Sequence, residues 1–238
     1  MKPKVLVILG PTASGKSDLA VELARQFNGE VISSDSRQVY KGLNLASGKI
    51  KKKEMRGITH YCLDIVSPKT YFAVQHFKIY AEKALKIIRK KNKIPFLVGG
   101  TAFYIKAITD NLEIPEVPVN WKLRHKLEKK PADELFLMLK KLDPRRAKTI
   151  EPKNKRRLLR AIEIVKTTKK PVPELRTMNY EPENKILRLG IKMDGKALKK
   201  NIEKRLNKRL KKGMTEEIKK LHSPPAGGGV SWKRLDAI

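Results

Sequence analysis

Short apolar runs alternate with helical apolar stripes along the first 110 positions of the chain. Segments of strand length built around apolar residues occupy 4–9, 30–34 and 95–98, the last of them apolar throughout, and a further apolar segment occupies 60–65. Apolar residues recur at helical spacing over about 15–27, 72–91 and 102–109. Strands buried on both faces and joined by helices are typical of a parallel sheet, so the pattern predicts an α/β fold.

The pattern changes after residue 114. Pro115 and Pro118 punctuate a stiff segment, and the helices that follow are rich in charge, the most distinctive spanning 154–168. We therefore predict a first part of the α/β core at 1–114, a small helical insertion at 115–185, and a return to the core at 186–238. A last long helix is predicted after Asp194. Its apolar residues fall at every fourth position and are expected to pack in the core: Leu198, Ile202, Leu206, Leu210, Met214 and Ile218.

The first predicted strand leads directly into a glycine-rich loop that fits the pattern G-x-x-x-x-G-K-[ST]. In such a loop, backbone amides turn toward phosphate oxygens, a lysine adds a positive charge and the final hydroxyl suits Mg²⁺. The following helix presents the positive end of its dipole. We predict a diphosphate- or nucleotide-binding site, of the kind that also binds ATP, made by Gly10, Pro11, Thr12, Ala13, Ser14, Gly15, Lys16 and Ser17.

Polar residues follow the ends of three predicted strands. Thr12 lies after the first strand, Asp35 after the second, and Thr101 after the run that ends at residue 98. Ligands of open parallel sheets bind outside the carboxyl ends of the strands, so these three side chains are expected to converge on one crevice.

Charge points to a polyanionic partner. The chain has 55 lysines and arginines against 24 acidic residues, a net charge of +31. Residues 111–238 hold 35 of the basic and 16 of the acidic residues, so the insertion half is the more basic. Nucleic acid is the leading partner, and a lysine-rich surface bias is the alternative. The helix at 154–168 adds a cluster suited to phosphate, for which a solvated face paired with Glu163 is the alternative: Arg156, Arg157 and Arg160.

Other features of the composition exclude several classes. The only cysteine, Cys62, rules out an internal disulfide and a cysteine-rich zinc site, and it is expected to be buried. The four histidines have no metal-ligand spacing. No signal-peptide layout or membrane-length apolar run is present, so we expect a cytoplasmic protein that does not meet the membrane.

Four motifs, in the expected order, resemble the tRNA dimethylallyltransferases, also called the IPP transferase family. The resemblance covers nearly the whole chain. The matching segments are the phosphate loop at 10–17, Ser-Asp-Ser-Arg-Gln-Val-Tyr at 34–40, Gly-Gly-Thr-Ala-Phe-Tyr at 99–104, and the arginine-rich stretch at 156–163. The resemblance implies a P-loop NTPase-like core with an inserted helical domain. It also implies transfer of a dimethylallyl group from its diphosphate to the N6 amine of the adenosine 3′ of the tRNA anticodon.

The resemblance assigns roles as well. Asp35 is implied to contact that amine as the base, with Thr101 as a second substrate contact. Lys16, Thr12 and a Mg²⁺ near Ser17 fit the leaving diphosphate, which Arg205 also reaches. The enzyme is expected to act as a monomer and to flip the target base out of the anticodon stem-loop. The expected tRNA contacts are Asp35, Ser36, Arg37, Gln38, Thr101, Arg124, Arg156, Arg157 and Arg160.

Two departures from the family pattern keep alternatives open. Asp194-Gly195 stands where the family usually has Asp-Arg, and the family continues beyond residue 238. A truncated, non-catalytic tRNA-binding form is therefore one alternative. A P-loop small-molecule kinase is another, although no acidic residue ends the strand at 95–98.

Overall fold

A computed structural model describes residues 5–174, 186–222 and 230. It divides into two compact units, one formed by Met1–Leu112 with Thr177–Ile238 and the other by Glu113–Arg176. The boundaries predicted from the sequence place the insertion at 115–185 instead. The predicted C-terminal end of the insertion, residue 185, lies outside the described residues.

The first unit is built on a parallel five-stranded sheet, which confirms the predicted α/β class. The strands are β1 (Val5–Leu9), β2 (Gly29–Ser33), β3 (His60–Tyr61), β4 (Ile94–Gly99) and β5 (Ile186–Gly190). Their order across the sheet is β3-β2-β4-β1-β5. Because β4 lies between β2 and β1, with Leu9 beside Gly99 and Ser33 beside Val98, the carboxyl ends of the three strands share one edge.

Helices of the first unit follow the strands as the apolar pattern predicts. Apolar clusters lie on both faces of the sheet, one around Phe77 and Leu97 and the other around Ile8 and Phe96. Burial on both faces explains why the strands read as continuous apolar runs. The helices of this unit are α1 (Lys16–Gln26), α2 (Lys52–Met55), α3 (Val74–Lys90), α4 (Ala102–Thr109), α9 (Gly195–Leu210) and α10 (Met214–His222).

The second unit has a core of its own, in which Leu135, Leu139, Leu158 and Ile162 are fully buried. Asp143 and Asn154 accept hydrogen bonds from backbone amides at the starts of two helices, which explains where those helices begin. The helices are α5 (Trp121–Glu128), α6 (Ala132–Leu142), α7 (Pro144–Thr149) and α8 (Lys155–Thr168).

The expectation that the apolar stripe after Asp194 packs in the core is wrong for its middle. Ile202, Leu206 and Leu210 are 41%, 45% and 45% exposed. The predicted helix also breaks at Gly213, whose φ of +88° is left-handed, so α10 starts in a new direction and Ile218 packs partly against the core. Helical periodicity indicates a face but not what covers it.

Three other expectations concern Cys62, membrane-spanning helices and a glycine-rich loop. Cys62 is 4% exposed, as predicted, and burial raises the pKa of its thiol to about 12. Within the described ranges, none of the helices combines the length and apolar character needed to cross a bilayer. The glycine run at 227–229, expected to form a loop, lies outside the described residues.

Candidate active site

The phosphate loop lies between the end of β1 and the start of α1, where the motif predicted it. Gly15 has a φ of +85°, which favours glycine, and nothing lies within 4 Å of the space where a Cβ would stand. The space beside Gly15 is therefore empty of other described atoms. Lys16 folds its ammonium group onto the Pro11 carbonyl, at one side of the crevice.

One hydroxyl of the loop has no protein partner. Ser14 is 6% exposed, and its Oγ makes no hydrogen bond with any described residue. A buried hydroxyl without a partner costs free energy, so such a group is usually satisfied by a ligand or by water. The Ser14 hydroxyl, in the middle of the loop, fits a site where a phosphate oxygen would be its hydrogen-bond partner.

Backbone amides of the turn after β2 hold both Asp35 and Thr101. Asp35 Oδ1 accepts hydrogen bonds from the Arg37 and Gln38 amides at 2.8 and 3.3 Å, which fixes the carboxylate in a turn after β2. Its Oδ2 accepts none from the described residues. The Ser36 amide donates to Thr101 Oγ1 at 3.1 Å, so the ends of β2 and β4 are tied together. Asp35 therefore caps the turn through Oδ1, and this is compatible with the catalytic role expected of it.

A single crevice of about 410 Å³ unites these groups. Its volume is typical of small-molecule sites. Among the described residues that line it, Asp35 is the only carboxylate, whereas four side chains are lysine or arginine: Lys16, Arg37, Arg205 and Arg209. Partial burial, and then the nearby Arg205 charge, lowers the pKa of Lys16. The predicted site residues that line it are Gly10, Pro11, Thr12, Lys16, Ser17, Asp35, Ser36, Arg37, Gln38, Thr101 and Arg205.

The loop at 46–50 and Arg209 were missed by sequence reasoning, although both line the crevice. Arg209 lies four residues after Arg205, one helical turn further along α9, and this spacing was the available signal. The loop carried none, because it is held from far along the chain. Glu217 of α10 accepts hydrogen bonds from the amides of Asn44, Leu45 and Ala46 at 2.9–3.0 Å.

The arginines of the second unit divide into two kinds. Arg156 and Arg157 are exposed on α8. Arg124 and Arg160 instead form ion pairs with Glu163, which is fully buried. Burial raises the pKa of Glu163, but hydrogen bonds from Arg124, from Arg160 and from the Asn120 amide outweigh it and leave the pKa below its usual value. The alternative of pairing with Glu163, considered for the arginines of this helix, therefore holds for Arg160. Arg124 makes the same pairing, which was not expected from the sequence, and a tRNA contact by either arginine stays a prediction.

Comparison with known proteins gives this geometry a family. The family model described as IPP transferase matches residues 38–236. The tRNA dimethylallyltransferase of Acetivibrio thermocellus is 40% identical over 223 residues, which span 91% of this chain and 71% of that protein. The chain belongs to the IPP transferase family. The tRNA dimethylallyltransferase of Anoxybacillus flavithermus is 38% identical over 93% of this chain and 72% of its own length.

Solved structures of the family agree. The full-length tRNA isopentenylpyrophosphate transferase of Bacillus halodurans matches with a TM-score of 0.66 and 33% identity, over 98% of this chain and 74% of that one. A eukaryotic dimethylallyltransferase acting on tRNA matches with a TM-score of 0.73 and 30% identity, over 92% of this chain and 56% of that one. The predicted P-loop-like fold is that of the family.

Proposed function

We propose that this IPP transferase moves a dimethylallyl group from dimethylallyl diphosphate to the N6 amine of the adenosine 3′ of a tRNA anticodon, releasing diphosphate. One observation carries the proposal. A phosphate loop and the carboxylate of Asp35 face the same crevice, in a chain whose relatives are named for transferring this group to tRNA. The loop suits the leaving group, and the carboxylate suits the incoming amine.

The leaving diphosphate gains negative charge as its carbon–oxygen bond breaks. Donors that already point at that charge stabilise the transition state more than the ground state. The amides of the phosphate loop, the Lys16 ammonium and the Ser14 hydroxyl, which has no hydrogen-bond partner among the described residues, would be such donors. Thr12, exposed at the crevice, adds a hydroxyl.

Mg²⁺ fits the same end of the crevice. Within the described ranges, no cluster of three or more histidine, cysteine or acidic side chains forms a cage for a metal. Mg²⁺ often takes few protein ligands and completes its shell with substrate phosphates and water. The Ser17 hydroxyl would hold it beside the diphosphate, where the ion would neutralise part of the developing charge.

The adenine amine must lose a proton as it attacks the allylic carbon. Its nitrogen forms the new carbon–nitrogen bond, the carbon–oxygen bond to diphosphate breaks, and the proton passes to Asp35. Asp35 Oδ2 is free of described hydrogen-bond donors, while Oδ1 is fixed by two amides, so the carboxylate is oriented and still able to accept a proton. Thr101 Oγ1 accepts a hydrogen bond from the Ser36 amide, so the hydroxyl proton of Thr101 can be donated to the substrate.

A base stacked in an anticodon loop does not reach this crevice, so the target nucleotide is flipped out. Ser36, Arg37 and Gln38 follow Asp35 and are placed to contact the flanking nucleotides. The exposed Arg156 and Arg157 supply phosphate contacts to the stem-loop. The net charge of +31 favours such a polyanion.

The test is to incubate the purified chain with Mg²⁺, labelled dimethylallyl diphosphate and an anticodon stem-loop with adenosine 3′ of the anticodon. A stem-loop with guanosine at that position is the control. Label on the adenosine substrate alone is expected. Phosphate transfer from γ-labelled ATP without prenyl transfer would indicate a kinase instead, and RNA binding without either transfer would indicate a non-catalytic form.

A further inference from the structure

Helix α9 lies alongside the crevice. Asp194 begins it by accepting hydrogen bonds from the Lys196 and Ala197 amides. Asn201, Arg205 and Arg209 then follow at four-residue spacing, which places them on one face of the helix. Asn201 Nδ2 donates to the Ala13 carbonyl of the phosphate loop at 3.4 Å, so this face is turned toward the loop.

The Arg209 guanidinium group occupies the space beside Gly48 where another residue would carry its Cβ. A Cβ added to Gly48 would lie 1.6 Å from one guanidinium nitrogen of Arg209 and 2.6 Å from one of Arg205. Gly48 also has a φ of +62°, and its carbonyl accepts a hydrogen bond from Arg205 at 3.0 Å. Both guanidinium groups therefore lie directly on the Gly48 backbone, at the edge of the crevice.

The loop that carries Gly48 is itself anchored. The Glu217 carboxylate accepts hydrogen bonds from three consecutive backbone amides of the loop, those of residues 44 to 46. Three hydrogen bonds to one carboxylate hold a backbone firmly, because each is charge-assisted. The loop whose Gly48 backbone lies against Arg209 is thus held by a residue far along the chain.

Lysine and arginine side chains outnumber carboxylates among the described residues that line this crevice. Within the described residues, neither Arg205 nor Arg209 has a carboxylate oxygen within 4.0 Å. Burial, and then the neighbouring Arg205 charge, lowers the pKa of Arg209, and the carboxylates of Asp35 and Glu217 offset this only in part. An anion bound between the two arginines and Lys16 would offset the remaining positive charge.

We propose that Arg209 is a second arginine ligand of the diphosphate, acting with Arg205 and Lys16, which line the same crevice. The inference rests on the proposed function. It adds a residue that binds the leaving group and therefore stabilises it more as its charge develops.

The test compares Arg209→Gln and Arg209→Lys with Lys208→Gln, a change at an exposed position one residue earlier on the same helix. Calorimetry with inorganic diphosphate and Mg²⁺ measures binding, and steady-state kinetics measure KM for dimethylallyl diphosphate and kcat. We expect R209Q to weaken diphosphate binding about tenfold or more and R209K to recover part of it, because a hydrogen bond to a charged group is lost and then partly restored. K208Q is expected to leave binding unchanged.

Equal diphosphate affinity in R209Q, K208Q and the unchanged chain would overturn the inference. So would a loss of stem-loop affinity with diphosphate binding intact, which would assign Arg209 to the RNA. Absence of prenyl transfer by the unchanged chain would instead count against the proposed function, and the diphosphate titrations would still decide the role of Arg209.

Discussion

Replacing Glu163 by glutamine is expected to destabilise the helical unit strongly. The Glu163 carboxylate is fully buried and accepts four hydrogen bonds of 2.6–2.9 Å, from the Asn120 amide, twice from Arg124 and once from Arg160. Glutamine keeps one acceptor oxygen but turns an NH₂ group toward donors. At least one guanidinium group would then face another donor instead of a carboxylate.

The magnitude follows from the burial of the three side chains. Glu163 is 0% exposed, Arg124 16% and Arg160 27%, so solvent screens this cluster weakly. Breaking a buried ion pair by removing one partner costs about 3–5 kcal/mol. We expect E163Q to lower the free energy of unfolding by about 3 kcal/mol, the lower end, because Arg160 retains some contact with water and a hydrogen bond to the Val117 carbonyl.

Trp121 offers a probe for this unit. It begins α5 and lies 5.6 Å from the Arg124 guanidinium carbon, measured to the ring centroid. Urea unfolding followed by Trp121 fluorescence, in a Trp232→Phe background, gives the free energy. Glu134→Gln, which removes an exposed carboxylate paired with Lys130, is the matched control and should change stability by under about 0.5 kcal/mol.

Dependence on pH supplies a second check. The pKa of Glu163 lies below its usual value of 4.5 in the folded chain, so its stabilising effect is present above that pH and is lost as pH falls through the folded pKa. E163Q should lose this acid dependence. Stability of E163Q equal to that of E134Q at neutral pH would refute the reasoning that the ion pairs of Glu163 stabilise this unit.

Three further predictions concern other parts of the molecule. Glu30→Gln should lower stability by about 1–2 kcal/mol in urea unfolding, because its buried carboxylate binds Lys91 and Lys93, which are partly exposed. Native Cys62 should stay unreactive toward a thiol reagent at pH 8 and react on unfolding, since its pKa is about 12; rapid native labelling would contradict its burial. Replacing Arg156 and Arg157 by alanine should weaken stem-loop binding and reduce its salt dependence with little change in stability; unchanged binding would exclude them as phosphate contacts.

Local patterns predicted most of the α/β unit. The strands at β1, β2 and β4 are buried on both faces, so their apolar runs are unambiguous, and the phosphate loop is a contiguous motif whose geometry follows from its own residues. Thr12, Asp35 and Thr101 were expected to converge because parallel strands end at one edge of a sheet, and all three line the crevice.

What sequence reasoning missed depends on contacts between distant residues. Glu217 holds backbone more than 170 positions earlier, and Gly48 makes room for arginines on α9. The expectation that Leu206 is buried was wrong for the same reason, because the spacing of a helical stripe does not reveal what packs against it. The pairing of Arg124 and Arg160 with one buried carboxylate likewise required the packed structure of the second unit.

The central claim is that Asp35 accepts the proton of the attacking amine in a prenyl transfer to RNA. Its most direct test is the single-turnover transfer rate with saturating dimethylallyl diphosphate and stem-loop, compared between the unchanged chain and Asp35→Asn. We expect the rate to fall by about 10²-fold or more, the usual contribution of a general base, with stem-loop affinity nearly unchanged. Equal transfer rates would contradict the account.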